Sequence, residues 1–141
     1  MADRARSRVV LLLVVLLSIS VNGCANFQPS KSSDYVLQAR DELDFDSIGD
    51  VQEEHEGVAG MFTDAEPTYF AIILGDTAAA RLESRLADEG YAEGEANWSK
   101  RFDDRVVTIY VASLDGGEEV DVGGNKTSRA DGRGVWIFIQ G

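Results

Sequence analysis

The chain has 141 residues, 25 of them acidic and 13 basic, for a net charge of −12 at pH 7. That length gives one small domain and excludes a repeat array or a multidomain enzyme. A surface this acidic makes nucleic acid a poor partner, and the single cysteine, Cys24, excludes an internal disulfide.

Arg4, Arg6 and Arg8 precede an unbroken apolar run from Val9 to Leu17, followed by Ser18, Ile19, Ser20 and Val21. A bilayer of about 30 Å needs around 20 apolar residues, so the run reads as the core of a signal peptide over residues 1–23. It closes with Val21-Asn22-Gly23-Cys24. This resembles the lipobox of bacterial lipoproteins, where an aliphatic residue, a small residue and Gly or Ala precede a cysteine that is diacylated. Asn22 stands where Ala, Ser or Thr is usual. The resemblance covers roughly the first sixth of the chain and implies palmitate-type lipid on Cys24, a membrane partner through that lipid, and an extracytoplasmic place on the cell membrane or outer envelope. Removing residues 1–23 takes away Asp3 and the three arginines, leaving 24 acids, 10 bases and a net charge of −14. The only basic cluster, Lys126, Arg129 and Arg133, sits among Asp121 and Asp131. Ten arginines against three lysines resemble the small lipoproteins of high-GC bacteria, and the acidic, lysine-poor lipoproteins of salt-adapted archaea share that composition.

Residues 24–34 read as the lipidated cysteine and a short polar tether, and residues 35–141 as the domain. Tyr35, Val36, Leu37, Ala39 and Leu43 predict a short helix capped by Ser33 or Asp34. Gly57 to Phe62 predicts a strand. Thr68 to Leu74 is apolar on both pleat faces, with Tyr69, Ala71 and Ile73 opposed to Phe70, Ile72 and Leu74, as in an interior strand. Ala78, Ala79, Leu82 and Leu86 form one stripe of a helix over about 77–89, capped by Asp76 or Thr77 and stopped by Gly90. Asp103-Asp104 predicts a hairpin loop that sets Phe102 opposite Arg105, Lys100 opposite Val107 and Trp98 opposite Ile109. That register puts Trp98, Phe102, Val107, Ile109 and Val111 on the core face, and Ser99, Arg101, Thr108 and Tyr110 on the other. Glu118 to Val122 predicts a short edge strand, and Val135 to Gln140 a last strand. The fold class is α+β: a mostly antiparallel sheet of about four to five strands with the 77–89 helix packed on one face.

The residues that could carry chemistry are few. His55, the only histidine, lies in Glu53-Glu54-His55-Glu56, which excludes histidine triads and His-pair zinc sites and reads as a solvated loop or helix end. The acidic pairs Asp44 with Asp46, Asp103 with Asp104, and Glu118 with Glu119 lack the apolar neighbours a general acid needs. Asp44 to Asp50 resembles the opening of a calcium loop, but Ile48 and His55 fall where the loop requires oxygen ligands. Gly123-Gly124-Asn125-Lys126-Thr127 has Asn125 where a phosphate loop has glycine, and reads as part of a flexible loop, 123–134. Asn97-Trp98-Ser99 and Asn125-Lys126-Thr127 fit the N-glycosylation sequon, a coincidence in a bacterial lipoprotein. Tyr110, Trp136 and Phe138 form a ligand- or partner-stacking face if they share the side of the sheet away from the helix. The competing expectation, and the favoured one, is that Tyr35 to Phe62 folds over that side as a second core layer. The sequence therefore predicts a lipid-anchored envelope protein that is not an enzyme, binds no metal or cofactor, and engages another envelope protein. The alternative is a small-ligand module using the aromatic face or loop 123–134.

Overall fold

The computed structural model describes residues 31–59, 66–123 and 126–141. Residues 1–23, read above as a signal peptide, Cys24, most of the segment read as a tether, Met61 and Phe62 lie outside the described residues. Helix α1 (Lys31–Leu43) and a single helical turn, α2 (Phe45–Ile48), lead into strand β1 (Asp50–Ala59). Strand β2 (Glu66–Leu74), helix α3 (Ala78–Asp88), strands β3 (Ala92–Glu93), β4 (Trp98–Phe102) and β5 (Arg105–Leu114), a ribbon of β6 (Glu119–Gly123) and β7 (Lys126–Arg129), and strand β8 (Gly134–Gln140) follow. The main sheet runs β1-β2-β8-β5-β4-β3, every pair antiparallel, while β6 and β7 pair only with each other.

The α+β class and the antiparallel sheet are as the sequence predicts, with more elements. Six strands replace four to five, and α1 and the α2 turn pack on the same face as the 77–89 helix. That face buries Ala71, Ile73, Val107, Ile109, Val135, Ile137 and Ile139 under Val36, Ala39 and Leu43 of α1, Phe45 and Ile48 of α2, and Leu82 and Leu86 of α3. Burying each leucine contributes about 1.5–3 kcal/mol. The segment expected to cover the opposite face thus lies on the helical one. Its remaining part, β1, extends the sheet.

Local chemistry fixes the ends of α3. Thr77 takes the N-cap position without a side-chain cap bond. At the other end the Tyr91 amide donates to the Leu86 carbonyl (2.9 Å) and the Gly90 amide to that of Ala87 (3.1 Å), the Schellman arrangement. Gly90 has φ +81°, which a side chain would resist, and the buried Tyr91 ring closes the motif against the core. The β4–β5 register is the one predicted, with Trp98 opposite Ile109 and Phe102 opposite Arg105. Asp103 in its loop adopts φ 49°, and the Tyr35 hydroxyl donates to its carboxylate at 2.9 Å, tying the hairpin to α1.

Four expectations fail. Helix α1 begins at Lys31, inside the segment read as tether. Glu53-Glu54-His55-Glu56 is strand rather than loop, and Glu118–Val122 is half of a separate ribbon instead of an edge of the main sheet. Lys126–Arg129, read as flexible loop, is its other half.

Candidate functional site

Tyr110, Trp136 and Phe138 do share the sheet face away from the helices. Pairing aligns His55 with Phe70, Phe70 with Phe138 and Phe138 with Tyr110, so one rung of rings crosses β1, β2, β8 and β5. Centroids are 5.0 Å apart for His55 and Phe70 and 6.2 Å for Phe138 and Tyr110. Trp136 lies one rung away, 5.9 Å from Phe138 with planes only 3° apart and 6.4 Å from Phe70. Such offset and tilted pairs suit the ring quadrupole. The next rung is polar: Thr68 opposite Gln140, and Gln140 opposite Thr108.

The β6–β7 ribbon covers one end of this face. Phe70, Ile72, Leu114 and Ala130 form a small buried cluster there, with Leu74, Val120, Val122 and Trp136 packed against it. A β-bulge makes the docking possible. Between Val51 and Glu53 the β1 register slips, so Gln52 is an extra residue. Its side chain donates to the Arg129 carbonyl and accepts from the Asp131 amide, both at 2.8 Å. Beside it the Ser128 hydroxyl donates to Glu53, and His55 Nε2 lies 3.3 Å from the Val122 carbonyl oxygen. The histidine is thus a clip between β1 and the ribbon.

Beyond the ribbon the face is open. Tyr110, Trp136 and Phe138 are half-buried, and Ala112 and Arg101 are exposed. Trp136 Nε1 is shut off from solvent with no hydrogen-bond acceptor, the one such side-chain atom among the described residues. An unsatisfied buried donor costs about 1–3 kcal/mol.

The other candidates are placed elsewhere. Phe45 and Ile48, inside the calcium-loop resemblance, are core residues, while Asp44 and Asp46 point to solvent. Among the described residues no three metal-ligating side chains converge. Asp103, Asp104, Glu118 and Glu119 are exposed too, without apolar enclosure. Lys126 and Thr127 lie in a strand, whereas a phosphate loop places them at a helix start. The basic cluster is divided among acids: Arg129 pairs with Glu119 at 2.6 Å and Arg133 with Asp115 at 3.6 Å. Asn97 is half-buried, its carbonyl taken by the Gly94 amide, and Asn125 lies outside the described residues, as does Cys24. Among the described residues no helix is long and apolar enough to cross a membrane.

Reasoning from sequence alone missed His55 and Phe70 as members of the aromatic row. The β2 alternation held the signal for Phe70. For His55 there was none, because β1 does not alternate. Comparison with protein families, curated proteins and solved structures returned no match to this chain.

Proposed function

We propose that this chain is a lipid-anchored protein of the cell envelope, held at the membrane by acyl chains on Cys24, whose domain binds another envelope protein and performs no reaction of its own. The observation that carries the binding role is the open half of the aromatic face, where Tyr110 and Phe138 share one rung and Trp136 lies on the next, beside the docked ribbon. Tyrosine and tryptophan concentrate at interface centres because they bury large area at small entropic cost. Clickable fatty acid should label the wild type, and Cys24→Ser should lose both label and membrane fractionation. From detergent-solubilised membranes the wild type should recover a protein that a folded Tyr110→Arg, Phe138→Ser variant loses. Label persisting on the serine variant overturns the anchor, and equal recovery by both proteins overturns the face.

A second reading has its own support. The unpartnered Trp136 Nε1 fits a small ligand whose acceptor oxygen enters at the ribbon edge, in which case the Trp136 indole N–H resonance moves on binding.

A further inference from the structure

A groove of about 330 Å³ lies on the helical side of the molecule, between α2 and α3, lined by Ser47, Ile48, Arg81, Ser84, Arg85 and Asp88. The four α3 residues stand at i, i+3, i+4 and i+7, so one helix face supplies one wall. Two arginines there are unexpected in a chain with 25 acids and 13 bases. Side by side at i and i+4 they repel, a small cost to the helix.

Their partners differ. Arg40, Arg85, Lys100, Arg129 and Arg133 each lie within 4.0 Å of a carboxylate. Arg81, like Arg101, Arg105 and Lys126, has no such neighbour among the described residues, and its polar contact is a long one, 3.5 Å from Nη1 to the Ile48 carbonyl oxygen. A guanidinium carries five N–H donors, so most of those on Arg81 are left for a ligand. Arg85 is aimed by α2: its Nη2 donates to Ser47 Oγ at 3.1 Å, and that hydroxyl in turn donates to the Asp44 carbonyl at 2.7 Å. The Ser47 proton is therefore committed, and Ser47 holds Arg85 in place. Ser84 adds a hydroxyl to the same wall.

We propose that this groove binds the phosphate of a small phosphomonoester. Two guanidinium forks and a hydroxyl stand together on the α3 wall, with Arg85 shared with Glu89 at 3.7 Å, and offer enough donors to match the several oxygens of a phosphate dianion. A volume of about 330 Å³ is at the small end of ligand sites and leaves room for a compact organic group beyond the phosphate. Asp88 at the same wall opposes an anion and limits affinity. The site is independent of the aromatic face.

The test uses isotope-labelled full chain in neutral detergent micelles at 150 mM salt, followed by NMR. Inorganic phosphate, then glycerol 3-phosphate, should shift the amides of Ser47, Ile48 and Arg81 to Asp88 saturably, with the phosphomonoester the tighter. Arg81→Gln should weaken binding roughly tenfold, the loss of a charge-assisted hydrogen bond. Asp88→Asn should strengthen it. Shifts that appear only when the micelles are doped with phosphatidic acid assign the phosphate to a lipid headgroup instead of a soluble ester. No saturable shift in either arm, or equal shifts in a folded Arg81→Gln protein, overturns the site.

Discussion

Lys100 and Glu54 show how charged residues are accommodated on the helical face of the sheet. The Lys100 ammonium sits 5.1 Å from both the Tyr91 and Phe102 ring centroids and 2.7 Å from Glu42, so its stem covers apolar surface while its charge stays paired. The same environment raises the Tyr91 hydroxyl pKa, through burial first and the Glu42 charge second. On β1, Glu54 accepts from Arg40 Nη2 at 3.0 Å and from the Tyr69 hydroxyl at 2.7 Å, while the Arg40 guanidinium lies over Phe45. Burial alone would raise the Glu54 pKa, but the bonds from Tyr69 and Arg40 outweigh it and the value falls below the usual 4.5. A carboxylate lowered on folding stabilises the native state above its unfolded pKa and loses that contribution as pH falls through the folded value. Melting temperature should therefore drop below about pH 4.5, and Glu54→Gln should flatten part of that drop while lowering stability at pH 7. Parallel pH profiles for the wild type and the Glu54→Gln protein would show that the triad carries no linkage.

Among elements, α3 is the clearest case of a stripe finding its partner. Leu82 and Leu86 are fully buried in the cluster that holds Val107 and Ile109. Leu86→Ala should cost about 2–4 kcal/mol in a urea melt with unchanged slope, and a loss under about 0.5 kcal/mol would mean that the helix contributes little to the core. The helix and the β4–β5 register were legible because each has a strong period and a turn signal at its end: Gly90 for one, Asp103-Asp104 for the other. Strand β1 was not. It is an edge strand with Glu54 and Glu56 facing one side and Glu53 and His55 the other, so period 2 is hidden by charges, and the Gln52 bulge breaks what remains. Charges of this kind also discourage pairing to another chain. The ribbon was read as edge and loop because Glu119–Gly123 and Lys126–Arg129 hold few apolar residues, their docking resting on side-chain clamps from β1 that no local pattern encodes. Of the candidate site, the shared face of Tyr110, Trp136 and Phe138 followed from alternation. Its partial cover did not.

At the scale of the whole molecule the dominant fact is an excess of negative charge. With 25 acids and 13 bases, carboxylates outnumber the cations that could pair with them, and the ion pairs that exist, such as Arg129 with Glu119, are largely surface ones worth little each. Self-repulsion among the acids then outweighs the attraction within the pairs, and salt screens both. Raising sodium chloride from 0.01 to 0.15 M shortens the Debye length from about 30 to about 8 Å, so the melting temperature at pH 7 should rise by about 2–5 °C. A fall would mean that ion pairs dominate. Calcium separates this general field from a specific site. Asp44, Asp46, Asp50 and Glu53 lie close in sequence, yet Phe45–Ile48 is a helical turn with Phe45 and Ile48 packed in the core and Asp50 and Glu53 belong to strand β1, so six to eight oxygens at 2.3–2.6 Å cannot be gathered there without unpacking the turn. Calcium chloride should therefore raise the melting temperature gradually, without a plateau, and by the same amount in Asp44→Asn. A saturating rise at micromolar calcium that the Asp44→Asn protein loses would show that the acidic segment folds around the ion.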